Sequence, residues 1–154
     1  MTTMPRTTIT AVTERDLPEL VPLMEAYCSF YATAPGPQAL RELAEALLAD
    51  PRAEGMQLLA RDGADRAVGF ATIYWSWDTT EALRTAIMHD LYVDDAVRGA
   101  GVGRALIEAC RAEAGRQGRG RLDWQTAPDN VRAQGLYDST GAEQSTWVCY
   151  ALPT

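Results

Sequence analysis

The stretch Arg98-Gly99-Ala100-Gly101-Val102-Gly103-Arg104 has a glycine at every second position and an arginine at each end. An apolar segment at residues 86–93, predicted as a strand, precedes it, and the apolar side chains of residues 101–117 recur at helical spacing. Glycines let the backbone approach a ligand closely, and the free N–H groups at a helix start point toward an anion. We therefore predict a strand, a phosphate-binding loop and a helix in succession.

Two familiar phosphate-binding loops do not match this stretch. The third glycine of a dinucleotide fingerprint falls at Arg104, and no Gly-Lys-Ser or Gly-Lys-Thr sequence closes a Walker-type loop. Arg98 and Arg104 flank the loop and Arg132 lies downstream, so charged donors are available to phosphate oxygens. Taken by itself, the loop has an alternative interpretation as a tight turn that only packs the helix against the strand.

The segments on either side of the loop alternate between strand-like and helix-like patterns from about residue 7 to the end of the chain. This alternation predicts one α/β domain at residues 7–154, with its helices and strands in separate layers (α+β layered). Residues 1–6 are predicted to be a disordered N-terminus. A Gly- and Asp-rich turn at residues 62–65 predicts an antiparallel hairpin. We predict strands at residues 7–12, 56–61, 67–77, 86–93, 121–126 and 146–152, and helices at residues 17–31, 40–48, 101–117 and 130–140.

The composition excludes several classes of protein. The 154 residues carry a net charge of −7, which argues against a nucleic-acid partner and suits a cationic one. The sequence shows no signal peptide and no run of about 18 apolar residues, which predicts a cytoplasmic protein without a membrane partner. Cys28, Cys110 and Cys149 form no Cys-x-x-Cys pair, so we expect buried reduced thiols and no metal.

Two stretches resemble the GNAT superfamily of acetyl-CoA-dependent N-acetyltransferases. Residues 90–107 contain the family's Arg-x-x-Gly-x-Gly loop directly after a strand, and residues 130–142 are similar to its later helix, with an Asn and a Tyr seven residues apart. The order of elements matches from about residue 7 to the end of the chain. Among members of the family, the chain is most similar to small-molecule amine and diamine acetyltransferases.

The resemblance implies a GNAT fold, a mixed and mostly antiparallel sheet of six or seven strands with helices on both faces. Its parallel fourth and fifth strands would splay apart around the pantetheine arm of acetyl-CoA. It also implies an acyltransferase that moves acetyl to a primary amine of a small molecule or peptide, and a homodimer. The implied cofactor-binding residues are Leu91, Tyr92, Val93, Arg98, Gly99, Ala100, Gly101, Val102, Gly103, Arg104, Asn130, Arg132 and Ala133.

Three side chains are candidates for catalysis. By the resemblance, Tyr137 would lie near the coenzyme sulfur as general acid, with Asn130 two helical turns before it on the same face. His89 and Asp90 are equal candidates for the general base, since an imidazole titrates near neutral pH and related diamine acetyltransferases carry an acidic residue at the position of His89. Strand alternation places these two side chains on opposite faces unless a bulge reorients them.

The acceptor side of the site has further candidate residues. Tyr27, Tyr31, Trp75, Trp77 and Asp78 come from elements that border the acceptor site in the family, and aromatic walls with a carboxylate favour a cationic amine. Trp75 and Trp77 could equally be core or dimer contacts. A chain that binds acyl-CoA as a sensor without turnover is the alternative to an enzyme.

Overall fold

The computed structural model describes residues 6–154, so the predicted disorder at residues 1–5 lies outside the described residues. Within them, five strands form one sheet in the order β1-β2-β3-β4-β5. The strands are β1 Thr8–Ala11, β2 Gly55–Arg61, β3 Ala67–Asp78, β4 Leu83–Val93 and β5 Arg121–Asp123. The helices are α1 Leu17–Phe30, α2 Pro37–Ala49, α3 Val102–Arg116 and α4 Val131–Asp138, with short 3-10 turns at Glu14–Asp16 and Asp95–Val97.

The sheet is mixed and mostly antiparallel, as predicted. Strands β1 to β4 pair antiparallel with their neighbours, and β4 and β5 pair parallel only where residues 85–87 face residues 121–123. Beyond Ile87 and Asp123 the two strands have no paired residues, so they diverge. This divergence opens a gap in the sheet just where the glycine-rich loop begins.

Helices cover both faces of the sheet and enclose two hydrophobic cores. On one face, the apolar stripe of α3, with Leu106 and Cys110 fully buried, packs against β2, β3 and β4. On the other face, α1 and α2 bury Leu20 and Ala44 against Leu59. The helical spacing of these apolar residues explains why each helix has one buried side.

Strand β4 contains a bulge at His89. Across the β3–β4 pair, Thr72 faces Asp90 and the next residue, Ile73, faces Met88. His89 lies between Met88 and Asp90 and therefore has no partner on β3. A bulge of one residue reverses the alternation of side chains beyond it. Met88 therefore shares the α3 face of the sheet with Leu91 and Val93, whereas regular alternation would place it on the face of Asp90 and Tyr92.

The predicted last strand at residues 146–152 is absent from the described part of the chain. Residues 142–154 belong to no helix or strand, and all of them are exposed. The sheet consequently has five strands where six or seven were expected, because no other segment of the described chain runs beside residues 146–152 to pair with them. Strand β5 is also shorter than predicted, ending at Asp123 instead of residue 126.

The cysteines are all free, but they are not all buried. Cys110 lies in the core, where burial raises the pKa of its thiol to about 12, whereas Cys28 is partly exposed and Cys149 is exposed. The prediction of three buried thiols therefore fails for Cys149, which belongs to the exposed C-terminal segment. Residues 6–154 include no helix long and apolar enough to cross a membrane.

Candidate active site

A cavity of about 470 Å³ fills the gap where β4 and β5 diverge. Its walls come from the last residues of β4, the glycine-rich loop, the start of α3, the segment that follows β5, and α4. The C-terminal half of α1 closes the remaining end. The lining residues are Tyr27, Phe30, Tyr31, Met88, His89, Leu91, Tyr92, Val93, Arg98, Gly99, Gly101, Val102, Gly103, Arg104, Trp124, Gln125, Thr126, Asn130, Arg132, Ala133, Leu136 and Tyr137.

Most residues predicted to bind the cofactor line this cavity, together with His89 and Tyr137. Ala100 and Asp90 are the exceptions. The N–H of Ala100 donates to the carbonyl oxygen of Val97 at 3.3 Å, so this residue closes the loop on itself. The side chain of Asp90 lies in a neighbouring, smaller cavity of about 160 Å³.

The loop presents a row of backbone donors to the cavity. Within residues 6–154, the backbone N–H groups of Gly99 and of residues 101–104 have no protein acceptor. Gly99 and Gly101 have φ angles of 86° and 82°, which glycine adopts without strain, and a Cβ atom at either position would meet no other atom within 4 Å. The open space and unpaired donors at the start of α3 are what a phosphate group requires.

Gly103 has a different role from Gly99 and Gly101. A Cβ atom at Gly103 would lie 3.1 Å from Leu136 Cδ2 and 3.7 Å from Val93 Cγ2. The absence of a side chain therefore lets α3 approach α4 and β4. Substitution of Gly103 is therefore expected to disturb the packing of α3 against α4 and β4 as well as any ligand.

The arginines near the loop are partly engaged with the protein. Arg98 Nε donates to the carbonyl oxygen of Val93 at 3.1 Å, and its guanidinium group also pairs with Asp95. Arg104 Nη1 donates to Ser139 Oγ at 3.3 Å. Arg98 thus fixes the path of the loop after β4, while Arg104 and the exposed Arg132 retain donors for an anionic ligand.

Asn130 caps α4 instead of forming part of it. Its Oδ1 accepts the N–H of Ala133 at 3.2 Å, and the helix begins at Val131, one residue later than predicted. The side-chain NH₂ group has no protein acceptor among the described residues, so it remains able to donate to a ligand carbonyl in the cavity.

Tyr137 projects from α4 into the cavity. Its ring contacts Trp124 edge to face, with the ring centroids 5.5 Å apart, and its hydroxyl has no protein hydrogen-bond partner in residues 6–154. Burial raises the pKa of Tyr137 above its usual value, and the nearby Tyr31 hydroxyl acts in the same direction. At neutral pH the hydroxyl is therefore protonated and able to act as a donor.

His89 and Asp90 come together at the bulge in β4. His89 Nδ1 lies 3.2 Å from Asp90 Oδ1, and the His89 side chain is 66% exposed. His89 lines both the large cavity and the smaller one, and its ring packs edge to face against Tyr74. The Asp90 side chain is only 15% exposed and lies among Tyr27, Tyr74 and Phe70. The arrangement is that of a base whose orientation is held by a carboxylate.

Aromatic side chains of α1 form the end of the cavity that is furthest from the loop. Tyr27 and Tyr31 line it as expected, and Phe30 joins them. Burial, and to a lesser extent the charge of Asp90, raises the pKa of Tyr27 far above its usual range, so the Tyr27 hydroxyl is neutral. This hydroxyl donates a hydrogen bond to the His89 carbonyl oxygen at 3.4 Å.

The other proposed acceptor residues lie elsewhere. Trp75 is buried and its Nε1 donates to the Pro51 carbonyl oxygen, Trp77 stacks with Arg84, and Asp78 pairs with Arg121. The sequence-based interpretation also missed residues 124–126, which line the cavity. Their position directly after β5, at the carboxyl end of a parallel strand, was the available signal.

The geometry agrees with the expected acyltransferase, since a loop with unpaired backbone N–H groups and the Tyr137 hydroxyl line one cavity between splayed parallel strands. The Acetyltransferase (GNAT) family model matches residues 20–142. The chain therefore belongs to the GNAT family of acetyltransferases, and it is an acyltransferase.

Individual relatives agree with this assignment. The chain is 30% identical over 138 residues to the uncharacterized N-acetyltransferase YhfO of Bacillus subtilis, covering 89% of this chain and 91% of YhfO. It is 33% identical over 88 residues to L-methionine sulfoximine/L-methionine sulfone acetyltransferase of Pseudomonas aeruginosa, covering 57% of this chain and 51% of that enzyme. A crystal structure of a probable acetyltransferase is 29% identical, with a TM-score of 0.83 over 96% of this chain and 97% of that one.

Proposed function

We propose that the chain transfers the acetyl group of acetyl-CoA to a primary amine by direct attack in a ternary complex. One observation carries this proposal. The anion-binding loop, the Tyr137 hydroxyl and the His89 imidazole all line one continuous cavity, with the aromatic residues of α1 at its far end. A cofactor and an acceptor could thus meet within the same space.

The residues at the loop end of the cavity fit coenzyme A. The unpaired N–H groups of residues 101–104 and the Arg104 guanidinium would hold the pyrophosphate. The edge of β4 beyond Ile87 has no strand partner, so the backbone of Leu91 and Tyr92 is available to the amides of the pantetheine arm. The Asn130 NH₂ group and residues Arg132 and Ala133 complete the proposed site from the opposite wall.

The reaction requires proton transfers at two atoms. The neutral amine nitrogen attacks the acetyl carbonyl carbon, forming the C–N bond, and the C–S bond then breaks. The departing thiolate takes a proton from the Tyr137 hydroxyl, and backbone N–H groups near Tyr92 and Val93 are proposed to stabilise the oxyanion. The proton lost by the amine goes to a base at the acceptor end of the cavity, and Tyr137 regains its proton from solvent.

We assign the base to His89, with Asp90 as the residue that orients it. The two were equal candidates on the sequence. Placement supports His89, because it lines the large cavity as well as the smaller one, whereas Asp90 lines only the smaller one. The hydrogen bond from Nδ1 to Asp90 would leave Nε2 free to accept a proton from the amine.

We propose a small amine as the acceptor. Tyr27, Phe30 and Tyr31 supply an aromatic wall, and Asp90 supplies negative charge close behind it. Aromatic faces beside a carboxylate favour a cationic group on a carbon skeleton of modest size. A cytoplasmic location remains a prediction from the sequence.

Release of free coenzyme A from acetyl-CoA, measured with a panel of amines, tests the proposal. The panel should span polyamines, aminoglycosides, peptide amino termini and amino acids, with methionine sulfoximine included because one relative is named for it. We expect turnover with at least one amine and formation of its N-acetyl product. Tight acetyl-CoA binding without turnover on any amine would instead favour the acyl-CoA sensor.

A further inference from the structure

Two arginines on the α3 face of the sheet lie against tryptophan rings. The guanidinium carbon of Arg84, on β4, is 4.7 Å from the centroid of Trp77, and that of Arg119, which follows α3, is 4.7 Å from the centroid of Trp75. The two tryptophans are two residues apart on β3, so their rings share one face of the sheet, about 7 Å apart along the strand. The two guanidinium groups are therefore neighbours.

Neither arginine has a carboxylate partner in the described part of the chain. The acidic residues that flank them in sequence all pair with Arg121 instead: Asp78, Glu81 and Asp123. Arg121 faces Thr85 across the β4–β5 pair, and Thr85 directly follows Arg84. Because consecutive side chains of a strand alternate, Arg121 lies on the face of the sheet opposite Arg84. The nearby carboxylates are thus engaged away from Arg84 and Arg119.

Arg119 lies in an unfavourable environment. Its Nε atom is buried and has no hydrogen-bond partner among residues 6–154. Burial lowers the pKa of Arg119, and the nearby charge of Arg84 acts in the same direction. A buried donor without an acceptor is destabilising, and so are two like charges without a counter-ion. An anion bound between the two guanidinium groups would offset both effects.

The two tryptophans hold the guanidinium groups in place without using their donors. A guanidinium group over an aromatic ring makes that contact with its face, so its in-plane N–H groups stay available to an oxyanion. Trp75 is itself fixed, because its Nε1 donates to the Pro51 carbonyl oxygen at 2.8 Å. Two positive charges match a phosphate group, which carries about −1.5 to −2 at pH 7, better than they match one carboxylate.

We propose that Arg84 and Arg119 form an oxyanion site on the α3 face of the sheet, which binds a phosphate group as the free ion or as a small phosphate ester. The site is separate from the candidate active site, because neither arginine lines the large cavity or the smaller one. It lies where β4 and β5 begin, whereas the large cavity lies where β4 ends. The proposal is therefore independent of the proposed acetyl transfer.

The indole N–H signals of the four tryptophans are separate reporters for an NMR titration with inorganic phosphate at constant ionic strength. Trp75 and Trp77 report on the proposed site, and Trp124 lines the large cavity and reports on phosphate at the glycine-rich loop. Trp147, in the exposed C-terminal segment, is the reference. We expect the Trp75 and Trp77 signals to shift along one saturable curve, independently of Trp124. No saturable shift of these two signals would refute the site.

Charge-removing substitutions test which arginines bind the ion. Arg84→Gln and Arg119→Gln should each weaken phosphate binding at this site by at least about tenfold, because each removes charge-assisted hydrogen bonds. Arg111→Gln is the matched control: Arg111 is an exposed arginine of α3, and its loss should leave the affinity unchanged. The thermal midpoint verifies folding, and Arg84→Gln alone decides if Arg119→Gln does not fold. Wild-type affinity in Arg84→Gln, or an equal loss in Arg111→Gln, would contradict the proposal.

Titrations with other anions identify the chemistry of the ligand. Acetate, with a single negative charge, should bind at least about tenfold more weakly than phosphate, and equal affinity would exclude a phosphate site. Phenyl phosphate distinguishes the two sources of the phosphate group, because the Trp77 side chain is 66% exposed and offers an apolar surface beside Arg84. Tighter binding than inorganic phosphate would identify a small ester as the ligand, and equal binding would identify the free ion.

Discussion

His89 and Asp90 are consecutive residues of β4, yet His89 Nδ1 lies 3.2 Å from Asp90 Oδ1. Consecutive side chains of a regular strand point to opposite faces of the sheet. The bulge at His89 brings the two groups together: His89 lines both cavities and packs against Tyr74, and the Asp90 carboxylate lies among Tyr27 and Tyr74. A single irregularity in one strand thereby brings the proposed base and its proposed orienting group together.

The first prediction concerns this pair. If His89 removes the amine proton, His89→Gln should lower kcat by about 10²- to 10⁴-fold. Asp90→Asn keeps the shape of the side chain and should lower kcat less. Acetyl-CoA affinity, measured by calorimetry, should be unchanged in both variants. Wild-type kcat in the His89→Gln enzyme would exclude His89 as the base.

The second prediction concerns Tyr137. Tyr137→Phe removes the hydroxyl but retains the ring that contacts Trp124, so the thermal midpoint and acetyl-CoA affinity should change little. The loss of proton donation should lower kcat by about 10²- to 10⁴-fold. Because burial raises the pKa of Tyr137, the wild-type hydroxyl is protonated and able to donate at neutral pH. If the Tyr137→Phe variant turned over at the wild-type rate, water and not Tyr137 would be the proton donor to the departing thiolate.

The third prediction separates ligand binding from backbone strain in the loop. Gly101 and Gly118 both have positive φ angles, 82° and 71°, and a Cβ atom at either would meet nothing within 4 Å. Alanine at each position should therefore lower the free energy of unfolding by about 1 kcal/mol.

Only Gly101 lines the cavity, so acetyl-CoA affinity should fall in Gly101→Ala and stay unchanged in Gly118→Ala. Calorimetric titration of the two folded variants makes the comparison. Equal affinities would mean that the pyrophosphate does not lie against this loop.

The fourth prediction concerns the ion pairs that hold β5 to the end of β3. Arg121 donates to Asp78 Oδ2 at 2.6 Å and to Glu81 at 2.7 Å, and this contact holds the pKa of Asp78 well below its usual value. A carboxyl whose pKa is lowered by folding stabilises the fold above its unfolded pKa, about 3.9, and loses that effect as the pH falls through its folded pKa.

Arg121→Gln should therefore lower the thermal midpoint most above about pH 4, and the difference from wild type should shrink in more acidic solution. Arg41→Gln is the control, because the exposed Arg41–Glu45 pair lies within one helix and should have little effect at any pH. If the difference in thermal midpoint between Arg121→Gln and wild type did not change with pH, the lowered pKa of Asp78 would not depend on Arg121.

The sequence by itself determined the elements that rest on local patterns. Glycines 99, 101 and 103 before an apolar helical repeat defined the loop and α3, and alternating strands with a Gly- and Asp-rich turn defined the β2–β3 hairpin. These elements could be predicted from the sequence because the backbone conformation of a segment, and which of its faces is apolar, depend on residues close together in the chain.

Tertiary structure alone decided three other features. The bulge at His89 depends on how β4 aligns with β3, the contact of Trp124 with Tyr137 joins segments on either side of a loop, and Gly103 is restricted by Leu136 of α4. Residues 146–152 have the pattern of a strand but no partner in the described chain. A pattern of alternating side chains specifies which faces a strand can bury, whereas its pairing requires hydrogen-bonding groups that only another segment, in this chain or a second copy, can supply.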